Sequence, residues 1–182
     1  MSKSIEKLIK ASIRGNTNAQ LQLYDNYCNA MFNIACNYLK NTEDAKDAMQ
    51  EGFIKAYAKL DAYNAQGSFG AWLKRIIINQ CIDTLKKKQL EYSEKNIDDL
   101  HVIDDDDWHF ESGISKQQII DAIEQLRDNY KLVVKLYLLE GYDHTEISEI
   151  LDIPVKTSRT HLRRGRLKLK ELLKSSYNEA RY

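Results

Sequence analysis

The sequence predicts an all-α protein made of two small helical domains joined by an acidic linker, and three observations point there. One proline and seven glycines in 182 residues leave few of the breaks that punctuate all-β folds. Apolar residues recur three and four apart through most of the chain, the period of helices that bury one face. Charge is partitioned: residues 1–88 carry 13 basic and 8 acidic side chains, residues 89–112 carry 1 and 9, and residues 113–182 carry 13 and 10. The formal net charge of zero therefore hides +5, −8 and +3. We read 1–88 and 113–182 as the domains and 89–112 as the linker, since a run such as Asp104-Asp105-Asp106-Asp107 favours solvation over packing.

Composition excludes several classes. With 43% apolar and 30% charged residues the chain can fill a core and cover a surface, which rules out wholesale disorder. The longest apolar runs are three or four residues, far short of the roughly 20 that span a bilayer. Residues 1–10 alternate charge with single apolar positions and have no apolar core of a secretory signal, so a cytoplasmic protein is expected. Cys28, Cys36 and Cys81 are odd in number, lack paired spacing and fall within helical patterns; reduced core thiols are expected, with no disulfide framework and no metal site. The four consecutive Asp residues lack ligand-focusing spacing, although an enzyme acting on nucleic acid through them is one alternative.

In the first domain, residues 17–39 place Leu21, Tyr24, Tyr27/Cys28, Met31, Ile34/Ala35 and Tyr38 on one helical face. Asn41 and Thr42 offer caps for a second helix, in which Asp44 stands in the first turn and Ala45, Ala48/Met49, Gly52/Phe53, Ala56/Tyr57 and Leu60 face inward. Its other face carries Asp47, Gln50, Glu51 and Lys55, which on spacing alone reads equally as a solvated surface. A turn through Asn64, Gln66 and Gly67 leads to Ser68, a cap for a third helix with Phe69, Trp72, Leu73, Ile76, Ile77, Gln80 and Leu85. Beside Phe69 and Trp72 stand Lys74, Arg75, Asn79, Lys86, Lys87 and Lys88, a mixture of cations and aromatics suited to phosphates and unstacked bases. Trp72 also fits an ordinary core position.

In the second domain, Ile119, Ile123 and Leu126, then Tyr130, Val133/Val134 and Tyr137/Leu138, mark two helices separated near Arg127, with Asp128 or Asn129 able to cap the second. Asp143-His144-Thr145-Glu146 has the form of a capping box for a short helix burying Ile147, Ile150 and Leu151. Asp152-Ile153-Pro154 turns the chain, and Val155 opens the next helix. This is the layout of a helix-turn-helix. Residues 153–174 hold eight basic side chains against Glu171, a net +7. Lys156, Arg159/Thr160 and Arg163 share one face, whereas Leu162, Leu167, Leu169 and Leu172/Leu173 serve packing. Such a face suits the major groove, where Arg makes bidentate bonds to guanine and flanking cations such as Arg164 and Arg166 hold phosphates. A dimeric helix-turn-helix regulator with an N-terminal ligand- or partner-binding module is an alternative use of the same parts.

Taken in order, these segments resemble the sigma-70 family of bacterial RNA polymerase sigma factors, in its small two-domain extracytoplasmic-function (ECF) class. Asp44-Ala45-Lys46-Asp47-Ala48-Met49-Gln50-Glu51-Gly52-Phe53 is similar to the family's core-polymerase-binding helix. The stretch from Phe69 through Trp72, Arg75, Asn79 and Asp83 is similar to its promoter-melting helix, and Glu140 to Arg166 is similar to its helix-turn-helix. The resemblance covers nearly the whole chain. It implies a non-enzymatic initiation factor with no catalytic residue and no cofactor, whose partners are core RNA polymerase, through the β′ clamp helices and the β flap, promoter DNA and, as is common in the family, an anti-sigma factor. By the same resemblance Asp47, Gln50 and Glu51 contact the clamp helices. Trp72, Arg75 and Asn79, with the turn at 63–68, lie against the minus-ten element, and Lys86, Lys87 and Lys88 contact phosphates. Arg159, Thr160 and Arg163 read the minus-thirty-five element beside Lys156, His161 and Arg164, and the acidic linker threads polymerase channels. The chain departs from the family pattern at Arg127, where proline is usual, at Ser148 and Ser158, where apolar residues are usual, and at Asp152, where glycine is usual in the turn.

Overall fold

A computed structural model of the protein describes residues 3–65, 67–91 and 114–179, and these are helices and turns with no strand among them. They fall into two compact units divided near residue 97. The all-α expectation is met. Of the stretch read as a linker, residues 89–91 belong to a helix, and 92–112, including Asp104 to Asp107, lie outside the described residues.

The first unit contains α1 (Lys3–Ile13), α2 (Thr17–Tyr38), α3 (Thr42–Ala58), one 3-10 turn (Leu60–Ala62) and α4 (Phe69–Glu91). The first of these was not anticipated from the sequence: its mixture of charge and single apolar residues lays Ile9 and Ser12 against the unit's interior. Gly15, at φ +82, reverses the chain into Asn16, whose side chain accepts from the Ala19 amide and so caps α2. That helix buries Ala19, Leu23, Met31, Ala35 and Tyr38, while Leu21 is 58% exposed. Met31, Ala35 and Tyr38 of the expected face are thus buried, and Leu23 takes the inward place in the first turns that Leu21 was expected to fill. Asn41 caps α3 by accepting from the Glu43 and Asp44 amides at 2.8 and 3.2 Å. Small inward residues let α3 and α4 approach closely: a Cβ on Gly52 would lie 2.4 Å from Ile77 Cδ1 and 3.4 Å from its Cα. Ser68 caps α4 as expected, accepting from the Ala71 amide.

The second unit contains α5 (Lys116–Glu124), α6 (Asp128–Val134, extended by a wide turn over Lys135–Leu139), α7 (His144–Leu151) and α8 (Val155–Glu179). A capping box of Ser115 and Gln118 opens α5. Neither Asp128 nor Asn129 caps α6. Arg127 holds the cap position with no side-chain capping bond, and Asp128 follows in the first turn, 3.6 Å from Lys131. The Glu140 amide donates to the Lys135 carbonyl, five residues back, and this wider turn shifts the phase of the apolar stripe. Leu136 consequently enters the core, and Tyr137 and Leu138, expected inside, are each 36% exposed. Lys131 and Lys135 are buried instead and converge on Glu124. Burial pushes the Glu124 carboxyl up, but the ammonium groups of Lys135 and Lys131 outweigh it and hold the group below its ordinary range.

Candidate nucleic-acid and partner interfaces

Three exposed polar faces emerge, on α3, α4 and α8. On α3 the inward run Ala45, Ala48/Met49, Gly52/Phe53, Ala56 turns Asp47, Gln50 and Glu51 to solvent, so the residues singled out in the sequence do share a surface. Ile54 stands one turn further along that surface at 68% exposure. The sequence reading placed it on neither face of the helix; its spacing of three, four and seven from Glu51, Gln50 and Asp47 was the available signal. An isolated apolar side chain amid carboxylates and an amide is the composition of a contact surface with an apolar anchor.

On α4 the residues divide. Trp72 is half-buried, Arg75, Asn79 and Lys87 are exposed, and Lys86 is half-buried; Trp72, Arg75, Asn79 and Lys86 line one stripe. Lys88 lies elsewhere, in an ion pair with Asp44 of α3. Asp83, on the stripe, is 3.5 Å from Lys55 of α3. Trp72 is both a core residue and a surface: its ring lies 5.4 Å from Tyr63 and 5.6 Å from Phe69, which in turn contacts Tyr27 at 5.3 Å. The turn leading into the helix is braced by the Tyr63 hydroxyl, which donates to the Gly67 carbonyl at 2.7 Å. Ala65 holds a left-handed φ of 58, a conformation costing a non-glycine residue about 1 kcal/mol. A partly exposed aromatic wall beside Arg75 and Asn79 can stack an unpaired base and donate to it.

On α8 the packing side is set by Ser158, Leu162, Gly165, Leu169 and Leu173; Leu167, expected there, is 36% exposed. Gly165 is the point of closest approach to α6, where a Cβ would lie 2.5 Å from Val134 Cγ2 and 3.4 Å from Tyr130 Cβ. Lys156 and Arg159 are exposed, and Thr160, Arg163 and Arg164 are half-buried. Thr160 Oγ1 donates to the Lys156 carbonyl at 3.0 Å, leaving its lone pairs and methyl for a ligand. His161 parts from this group: half-buried, its ring packs edge-on to Tyr130 at 5.4 Å, and it works in the α6–α8 contact.

The departures noted in the sequence acquire a physical reason here. Asp152 holds φ 55, ψ 51, the left-handed conformation that glycine usually supplies and that Asp tolerates better than most residues. Ser148 Oγ donates to the Ile153 carbonyl at 2.7 Å and braces the same turn. Ser158 is fully buried with its hydroxyl 2.9 Å from His144 Nδ1, and that imidazole stacks on Tyr137 at 4.8 Å. The pair of polar residues thus joins α7 to α8 where an apolar contact would otherwise stand. Asp143 caps α7 through the Thr145 and Glu146 amides, with Glu146 accepting in return from the Asp143 amide at 2.9 Å, completing the expected capping box.

These imidazoles give the second unit a pH dependence. Burial, then Arg159, holds His144 below its ordinary value of 6.5, with Asp143 opposing. Burial, then Arg164, does the same to His161. The unfolded chain therefore takes up protons more readily than the folded one. Stability is complete above 6.5 and declines as pH falls through 6.5 toward the lower folded-state values. The melting temperature of the second unit is expected to drop between pH 7.5 and pH 5.5, and the drop to shrink when His144 and His161 are both changed to Gln. Glu124 and Asp143 act at more acid pH, so this window isolates the imidazoles.

Among the described residues no group of three or more His, Cys, Asp or Glu side chains is placed to hold a metal ion, and no helix is long and apolar enough to cross a membrane. All three cysteines are free. Cys81 is the core thiol expected, its pKa pushed up to about 12 by burial, whereas Cys28 is half-buried and Cys36 is exposed.

Comparison with known proteins agrees with this arrangement. The family model for Sigma-70 region 2 matches residues 23–91, and that for Sigma-70, region 4 matches residues 116–169. The chain is 30% identical to the ECF RNA polymerase sigma factor SigW of Bacillus subtilis, over 96% of this chain and 99% of that protein. It is 27% identical to the ECF RNA polymerase sigma-E factor of Escherichia coli K12, over 87% and 88% of the two chains. Two solved structures share its fold at 22% identity: CnrH in complex with the cytosolic domain of CnrY (TM-score 0.51, 95% and 99% covered), and the sigma factor RpoE in complex with the anti-sigma factor NepR from Bartonella quintana (TM-score 0.52, 84% and 95% covered). Regions 2 and 4 fall one on each unit, a pairing that an ordinary dimeric regulator has no reason to carry. The chain belongs to the ECF class of the sigma-70 family and is a non-enzymatic transcription initiation factor of RNA polymerase.

Proposed function

We propose that the three faces divide the work of initiation among them. Asp47, Gln50 and Glu51, anchored by Ile54, dock on basic side chains of the β′ clamp helices of core polymerase, where carboxylates and cations are complementary. Trp72, Arg75 and Asn79, with the braced turn at 63–68, take up an unstacked base of the minus-ten element while Lys86 and Lys87 meet phosphates. Lys88, set apart from this stripe and paired with Asp44, reaches phosphate only if that ion pair opens. Lys156, Arg159, Thr160, Arg163 and Arg164 enter the major groove at the minus-thirty-five element, with His161 holding the helix from behind. The second unit also docks on the β flap. The protein works in the cytoplasm, and an anti-sigma factor is its proposed regulator, as the anti-sigma factor NepR is found in complex with RpoE. The acidic stretch 89–112, joining residues 1–88 to residues 113–182, passes through polymerase channels.

The segregation of charge carries this reading: α3 presents carboxylates and an amide, whereas α4 and α8 present cations with an aromatic or hydroxyl beside them. Melting needs no nucleotide hydrolysis, because each stacked base recovers roughly 1–3 kcal/mol against about 1.4 kcal/mol per opened step. Run-off transcription with purified core enzyme tests the whole assignment; absence of any promoter-dependent transcript, together with absence of binding to core, overturns it. Changing Arg159 or Arg163 to Ala is expected to weaken upstream-element binding by about 1–3 kcal/mol and to relax specificity at the contacted base. Equal loss on every DNA sequence would instead make them phosphate contacts.

A further inference from the structure

Gln80 has no part in the three faces. It lies on α4 between the core residues Ile77 and Cys81 at 3% exposure, and its Oε1 is buried without a hydrogen-bond partner. A half-satisfied buried amide is unfavourable beside an apolar side chain of the same size. Its side-chain donor is aimed at a specific acceptor: Nε2 donates to Oε2 of Glu51 across the α3–α4 crossing. The backbone explains the reach. Gly52 brings α3 so near Ile77 that a Cβ has no room there, and Glu51 and Gln80, each beside that crossing, come within hydrogen-bond distance.

We propose that Gln80 is a positioning residue for polymerase binding, holding the exposed Glu51 carboxylate in one rotamer before the partner arrives. This rests on the reading of Glu51 as a polymerase contact. An exposed glutamate loses side-chain freedom when an interface immobilises it; one tethered beforehand has less to lose. With Oε2 satisfied by Gln80, Oε1 is available to a partner cation. The donor also ties the polymerase face to the turn of α4 that carries Asn79, so the residue orienting the polymerase contact is the chain neighbour of one on the promoter stripe.

The test uses the full chain, fluorescently labelled and titrated with core polymerase. Gln80→Met keeps the length and removes the donor; Gln80→Leu removes it with a different shape and guards against a packing fault. Both are expected to leave the melting temperature unchanged or higher and to weaken core binding about fivefold. In a Glu51→Ala background the same changes are expected to have no further effect, which a merely structural role would not produce. Unchanged affinity in Gln80→Met and Gln80→Leu, with Glu51→Ala weakened, overturns the positioning role alone. A loss that persists undiminished in the Glu51→Ala background also overturns it, as a fault in the core. If Glu51→Ala binds core as well as the parent, the interface reading of Glu51 fails and this proposal falls with it.

Discussion

A chain carrying both Asp47→Lys and Glu51→Lys is expected to lose promoter-dependent transcription because it no longer binds core polymerase. Removing one partner from a desolvated, hydrogen-bonded charge pair costs about 2–5 kcal/mol, and reversal adds repulsion. A loss of about 4 kcal/mol is close to a thousandfold in affinity. Both side chains are exposed on α3 and neither is in an ion pair within the described residues, so the fold should tolerate the change. One local consequence follows at Gln80, whose Nε2 would meet an ammonium in place of an acceptor. Asp47→Lys alone leaves that contact intact and separates the two effects. Titration of labelled chain with core enzyme, beside thermal unfolding of each variant, is the measurement. Parent-like affinity in the double variant would remove α3 from the polymerase contact.

The second large effect is expected at Gly165→Leu. The Cβ alone would sit 2.5 Å from Val134 Cγ2, and Val134 is fully buried with no flexible end to withdraw. Leucine regains up to about 1 kcal/mol of helix propensity over glycine. Overpacking of a filled core costs about 1–3 kcal/mol, and the three further carbons place this site at or beyond the upper end. For a helical unit of this size a net loss of about 2 kcal/mol lowers the melting temperature by roughly 8–16 °C. DNA reading should fail with it, since α8 carries the basic face and the packing stripe on one helix. Calorimetry of the full chain should show the loss confined to the second unit's transition. A single transition moved as a whole would mean that the units unfold together.

Much of this was legible beforehand because local rules and tertiary packing agreed. Asn41, Ser68 and Asp143 cap the helices they were expected to cap, since each stands just before a periodic apolar run that buries well. The faces of α3 and α8 were readable for the same reason, Ile54 and Leu167 apart: a helix with one clear apolar stripe leaves most of its other side known. The unreadable parts had two solutions of similar quality. At the start of α2 both Leu21 and Leu23 could lead into the stripe of Met31, Ala35 and Tyr38, and only packing in the first unit decides that Leu23 goes in and Leu21 stays out. A wide turn at 135–139, invisible to a fixed 3.6-residue period, moves Tyr137 and Leu138 outward, and Lys131 and Lys135 are buried against Glu124 of α5.

By itself the sequence determined the fold class, the order of the helices from α2 onward, and which helix faces bear charge of which sign. These follow from spacing and capping, which act over three or four residues. The tertiary structure alone decided which candidate residues work together. Lys88 is drawn to Asp44 and away from the Trp72 stripe, His161 to Tyr130 and away from Arg159, and Gln80 to Glu51. Each of those pairings joins residues 29 or more positions apart, and helix crossings at Gly52 and Gly165 set which side chains can meet. Such crossings depend on the absence of a side chain on one helix and the shape of another, a relation that no local window of residues contains.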